Sequence, residues 1–350
     1  MPESWKLERP GQVALGEGVR SLRLTAMAGR VNLIGTDGPA TLEVTRISGP
    51  PLVAQLTDGQ LVVRHGEAGK PQLAQWLLGG RKAEVELSLA LPPDTLLDVR
   101  VVSGPVVVSN FHERVAVKGV SGEVTLAGLH GSARVSTVSG AITVEEVTGD
   151  LSVKALSGSI TVIAGAGGTI DLSAVSGAIS LDLQDPVPSP VKLQCVSGAV
   201  TVRLPHDPDV HVDLSTSNGR AVSSFPQVRT SGTRSAQRLS GTVGAGTATL
   251  FGKTVSGSVT LLRRSADEEP WDLMVDDPSD QDVNDAAPAD QAPHESAAAS
   301  APQDSAAESG TEHGTTQHSA ENAENTDAGG TIPDGNGANR DNGENSEDAR

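Results

Sequence analysis

The sequence predicts an all-β fold, a β-helix-like solenoid built from coils of about 18 residues and followed by a disordered acidic C-terminal tail. Three observations predict it. Glycines recur nine residues apart at Gly122, Gly131, Gly140, Gly149, Gly158 and Gly167. The apolar residues between them fall in fixed columns, two of which lie two residues apart, the β alternation that puts both side chains on one face. Large apolar residues become rare after position 264, where acids accumulate instead.

The first 100 residues read as a β-strand region continuous with the solenoid. SLRLTA, GRVNLIG, TLEVTRI and DGQLVVRH alternate polar and apolar residues, and AEVELSLALP leads into the repeats. Between them, residues 66 to 81 carry Trp76, Leu77 and Leu78 and read as a long loop or short helix.

Residues 101 to 264 carry the repeat itself. The first column contains Val124, Ala133, Ile142, Leu151, Ile160, Ile170 and Ile179, the second Leu126, Val135, Val144, Val153, Val162, Leu172 and Leu181. A third, at the bend, contains Leu129, Val138, Val147, Leu156 and Val175. Alternate glycines follow serine, as in Ser103-Gly104, Ser121-Gly122 and Ser139-Gly140, while those between follow His130, Thr148 and Ala166. The true period is therefore 18, widening to 19 and then 21. Two strands per period, with like turns recurring at one edge, describe a flattened coil whose corners stack. Glycine there permits positive φ, and serine beside it bonds to local backbone. One such unit cannot bury its own apolar face, so stability belongs to the array. An antiparallel meander uses similar turns; the two alternating turn types favour the solenoid. After TVRLP at 201 to 205 comes a Pro-rich excursion, then an irregular insertion around Phe225 to Arg238, and a last turn at Ser256-Gly257 resumes the pattern.

Residues 265 to 350 hold 22 of the 44 acids but only 2 of the 26 bases, so the tail carries −20 and the body about +2. High charge with few core-forming residues predicts disorder for this tail. Its one apolar cluster, Trp271, Leu273, Met274 and Val275, is a candidate partner-binding motif or a cap on the last coil. Because the tail follows the final strand, it is also expected to shield an open solenoid end, through which the chain would otherwise form homo-oligomers. The body shows no basic, aromatic-studded face, so nucleic acid is not an expected partner. No run approaches the roughly 18 apolar residues of a membrane span. The first twenty residues lack an apolar signal region and the single cysteine, Cys195, has no partner for a disulfide. A cytoplasmic protein is expected.

Candidate chemistry is sparse. His206, Asp207, Asp209, His211 and Asp213 are the densest set of potential metal ligands, and on a strand Asp209, His211 and Asp213 would share a face. Flanking prolines favour a solvated loop instead, and no metal is expected. Thr125, Arg134, Thr143, Ser152, Thr161, Asp171 and Ser180 form an outward column, with Glu145 and Lys154 in the next; these scattered charges read as a solvated wall rather than a glycan-cleaving pair. Glu145, Glu146 and Asp150 approach one corner without an evident base. Cys195 precedes Val196 with no nearby histidine and reads as structural. GAGGT at 165 to 169 and GAGT at 244 to 247 lack the Lys-Ser/Thr ending of a phosphate loop and read as turns. No catalytic residue, cofactor or cofactor-binding residue is expected.

GRVNLIGTDGPATLEVTRISGPPL, the serial VSG turns and GTVGAGTATLFGKTVSGSVTLLRR together resemble the toastrack, or putative-adhesin, family of bacterial β-strand repeat proteins, over roughly residues 5 to 264. The chain looks like a cytosolic actinobacterial-type member. The resemblance implies a β-solenoid domain of unknown function, without catalytic residues, and for relatives a link to envelope-stress systems or transcription regulators. The expected role is thus a non-enzymatic scaffold with a protein partner. The alternative is a cryptic glycan- or nucleotide-binding or processing solenoid, which clustering of acids and bases in one groove would mark.

Overall fold

A computed structural model describes residues 3–16, 18–66 and 83–265. The motif of Trp76, Leu77 and Leu78 and the cluster of Trp271, Leu273, Met274 and Val275 lie outside the described residues. Those residues form 26 strands and no helix, arranged as a 14-stranded sheet and a 12-stranded sheet, here sheet A and sheet B.

Each coil contributes one strand to each sheet. Leu96–Ser103, Val115–Ser121, Ala133–Ser139, Leu151–Ser157, Ile170–Ser176 and Val191–Ser197 run parallel and in register in sheet A. Val106–Phe111, Val124–Leu129, Ile142–Val147, Ile160–Gly165, Ile179–Leu183 and Val200–Leu204 run parallel in sheet B, with one register shift, between Val162 and Gly165 where Ile160–Gly165 pairs with Ile179–Leu183. Val124 thus stacks on Ile142 and Ile142 on Ile160, so the first two apolar columns become continuous buried ladders between the sheets. Thin aliphatic layers suffice because neighbouring coils bury one another's faces.

The Ser-Gly corner is held by close backbone approach. Gly104, Gly122, Gly140, Gly158, Gly177, Gly198 and Gly257 all have φ between 125° and 151°. A Cβ on Gly122 would stand 2.2 Å from the carbonyl oxygen of Gly104. Only glycine fits, on conformation and on space alike. Just inside this corner runs a row of small side chains, Gly119, Thr137, Ala155, Ala174, Cys195 and Thr254. Cys195 Sγ donates to the carbonyl of Gly177 at 3.5 Å and Thr254 Oγ1 to that of Gly198 at 3.5 Å. The buried Thr137 hydroxyl has no such partner.

On sheet B near the opposite corner a second device recurs with the same period. Asn110, Gly128, Glu146 and Ala164 all adopt left-handed backbone, with φ of 62°, 60°, 52° and 56°. The extra residue lets the chain turn while Phe111, Leu129 and Val147 still point inward.

This alternation splits the third column. Leu129 and Val147, on sheet B, are buried, whereas Val138, Leu156 and Val175, on sheet A, are exposed. On sheet A no left-handed residue intervenes, so strict alternation carries the residue before each Ser-Gly turn to the outside. The outward wall divides likewise. Thr125, Thr143, Thr161 and Ser180 lie on sheet B, while Arg134, Ser152, Asp171 and Lys154 lie on sheet A.

Both ends depart from chain order. At the start, Ser21–Ala28 pairs with Leu96–Ser103 on one side and Gln60–His65 on the other, and antiparallel strands follow outward. At the far end, the final strands Ala248–Ser256 and Val259–Arg263 insert between the coil ending at Leu204 and the coil of Val210–Asn218 and Ala221–Ser223. The outermost sheet A strands are Gln237–Val243 and Arg229–Gly232, paired antiparallel. The insertion around Phe225 to Arg238 is therefore largely an ordered hairpin over the edge, with Phe225 and Val228 buried. The expected placing of the tail at an open end is corrected accordingly: it follows a strand that has neighbours on both sides.

Candidate functional site

The outer face of sheet A gathers the side chains that the core does not use. Reading the parallel registers outward, the residue before each Ser-Gly turn forms one straight row: Val102, Val120, Val138, Leu156, Val175, Val196 and Val255. Each is between 41% and 51% exposed. These seven aliphatic side chains make an exposed apolar strip along the outer face of sheet A. Two residues upstream in the same strands stand Arg100, Lys118, Lys154 and Lys253, so a basic row runs beside the apolar one.

The charges on this face are unevenly matched. Arg100 pairs with Asp98 at 3.3 Å and Arg23 approaches the same carboxylate at 3.9 Å, while Arg238 pairs with Asp213. Lys118, Arg134, Lys154, Lys192 and Lys253 have no ion-pair partner among the described residues. These five side chains leave unbalanced positive charge on the face.

Toward the opposite corner the same face carries an open groove of about 380 Å³. Arg114 and Arg134 line it with Ser132, Ser152, Thr169, Asp150 and Asp171. Asp150 accepts hydrogen bonds from the Thr169 backbone N–H and hydroxyl, both at 2.8 Å, and these bonds hold its carboxyl below the usual range. The two guanidiniums and the hydroxyls suit an anion or a hydroxylated small molecule. Close by, His112 pairs with Asp94 at 3.3 Å, and its ring lies 5.1 Å from that of His130.

The sequence's candidate ligands are separated or engaged. Asp207 pairs with His206 at 3.0 Å and with Arg263 at 2.7 Å. Asp209 accepts from the Ala245 N–H at 2.6 Å, His211 meets Thr242 Oγ1 at 3.0 Å, and Asp213 holds Arg238. His211 and Asp213 do share the outer face, but both are tied to the hairpin strand Gln237–Val243. Among the described residues no group of three or more His, Cys, Asp and Glu is placed to hold a metal ion. Asp150 is bound to Thr169 rather than to Glu145 or Glu146. Cys195 is 4% exposed, and burial pushes its thiol pKa up. Such a thiol is unreactive.

Sequence reasoning missed the apolar row because its members shared a column with buried residues. The signal was present: each member immediately precedes Ser-Gly, whereas Leu129 and Val147 do not. The groove had no comparable signal, since Arg114 and Arg134 occupy different rows of the coil.

Residues 43–262 match the family Toastrack DUF4097. The chain is also similar to a solved crystal structure of a "putative cell adhesion protein from Clostridium sporogenes ATCC 15579", with 11% identity, 75% of this chain and 100% of that one covered, and a TM-score of 0.23. No curated protein matches. Among the described residues no helix is long and apolar enough to cross a membrane.

Proposed function

Because the chain belongs to the Toastrack DUF4097 family, a domain of unknown function, we propose that it is a non-enzymatic interaction scaffold that holds a protein partner on the outer face of sheet A. The observation that carries this reading is the exposed row from Val102 to Val255 beside the unpaired lysines. Parallel coils fix these side chains at the strand spacing of about 4.8 Å, so the surface is ordered before any partner arrives. The partner's complement is an apolar ridge flanked by acids. An envelope-stress or regulatory complex is the proposed setting. A cytoplasmic location belongs to the same proposal; the lone buried thiol of Cys195 is compatible with a reducing compartment, and fractionation of native cells tests it.

Affinity capture from native lysate tests the scaffold role when the wild-type protein is compared with a variant combining Val120→Ser, Val138→Ser and Leu156→Ser. The reading expects a partner retained by the wild type and lost from the variant, with thermal unfolding unchanged. Equal capture by both contradicts it.

The groove favours a second reading, a binding site for an anionic glycan or a nucleotide. Arg114 and Arg134 are the groups that would hold the anion, and titration of nucleotide or uronic-acid oligomers into wild type and Arg134→Ala decides it. Binding that Arg134→Ala leaves unchanged contradicts this reading.

A further inference from the structure

The described residues end at Ser265, and where the chain leaves the coil limits what it can reach. The Arg264 N–H donates to the Leu204 carbonyl at 2.9 Å, and the Arg264 side chain meets Asp182 at 2.5 Å. Both groups of this ion pair are largely buried, so the exit point is anchored. It stands at the corner opposite the Ser-Gly turns, where sheet A strands begin.

From that corner the outer face of sheet A presents Phe251, 41% exposed, then Lys253, then Val255, along one strand. On the next rung Lys192 stands beside Phe251, and Val196 is the apolar-row neighbour of Val255. The patch therefore mixes large exposed apolar side chains with two lysines that have no ion-pair partner among the described residues. Phe251 is an aromatic side chain facing water in a chain with three phenylalanines.

The segment that follows has the complementary composition. Residues 266–277 contain Asp267, Glu268, Glu269, Asp272, Asp276 and Asp277, no base, and the tail's apolar cluster at 271–275. An extended chain gains at most about 3.5 Å per residue, so Trp271 lies within roughly 20 Å of Ser265 and residue 275 within roughly 35 Å. A strand from the exit corner to Val196 spans about 20 Å at 3.3 Å per residue. The patch is within reach, whereas the apolar row near Val102 is several coils further away. Tethering also raises the effective concentration of the segment far above that of any free partner.

We propose that residues 271–275 dock back in cis on this patch, with Phe251, Val196 and Val255 as the apolar seat and Lys192 and Lys253 facing the acids. The inference rests on the reading of the sheet A face as a contact surface. It assigns one end of that face to the chain's own tail.

The test uses the full-length protein with a benzophenone amino acid in place of Trp271, irradiated at low concentration and mapped by mass spectrometry. A second protein carrying the same label at Thr331 sets the level of random encounter. The expected result is intramolecular adducts on residues 191–197 and 248–256, reduced several-fold by Lys192→Glu with Lys253→Glu and by 1 M salt, which shortens the screening length to about 3 Å. Adducts that form mainly between molecules, that map to the threonine row of sheet B, or that equal the Thr331 level overturn the proposal. Partner capture is read separately, through Val120, Val138 and Leu156, so failure of cis docking and failure of the scaffold reading give different results.

Discussion

The carbonyl oxygen of Gly122 lies 2.0 Å from the point where a Cβ on Gly140 would stand. Gly140 also has φ 128°, outside the range that side chains tolerate. Gly140→Ala is therefore expected to cost about 3 kcal/mol or more, from backbone strain and overpacking together. Gly11→Ala, where no atom lies within 4 Å of the added carbon, is the control and is expected to change little. Urea unfolding of both variants checks the contrast.

Glu146 and Ala164 occupy the same left-handed position as Gly128 one and two coils away. A side chain in that conformation costs roughly 1 kcal/mol, which glycine avoids at some expense in unfolded-chain entropy. Glu146→Gly and Ala164→Gly are each expected to raise stability slightly, by up to about 1 kcal/mol. Glycine replacing the equally exposed Glu145, whose backbone is ordinary strand, is expected to lower it. Thermal unfolding of the three variants gives the sign.

His65 is 1% exposed, and burial holds its pKa below the ordinary 6.5, against the opposing pull of the Pro50 and Ser48 backbone. The unfolded chain then binds a proton that the folded chain refuses. The stability tied to this group is fully present above about pH 6.5 and is lost as pH falls toward the lower folded value, by at most about 1.4 kcal/mol per pH unit. Melting temperatures from about pH 7.5 to pH 5 are expected to fall more steeply in the wild type than in His65→Leu. Parallel slopes would remove His65 from the account.

The period, the paired strands of each coil and the inward ladders were legible because glycine and aliphatic residues recur at fixed spacing. Val144 and Val135 could be placed in the core from sequence alone. Val138 and Leu129 fell in one column, and the cue that separates them, the Ser-Gly that follows Val138 but not Leu129, takes on meaning only once the left-handed residue at Gly128 is seen in its sheet. Nor could the order of the last coils be read. Parallel coils are near-interchangeable neighbours, and the outermost one turns at Asn218-Gly219 without the Ser-Gly signature. The exposed row turns on the first of these facts, and the groove joins Arg114 and Arg134 from different rows of the coil, so the candidate site was less legible than the fold.

The central claim is that the row through Val138 faces outward and is free for contact, while the ladder through Val144 is core. Val138 is 45% exposed and Val144 is 0% exposed. Thermal unfolding of Val138→Asp and Val144→Asp tests this most directly, because both replace valine by the same charge in strands that follow one another in the chain. Burying an unpaired carboxylate at position 144 is expected to lower the midpoint by about 10 °C or more, or to abolish cooperative unfolding. The change at position 138 is expected to stay within about 2 °C of wild type. Comparable losses in the two variants would contradict the account and place the row in the core.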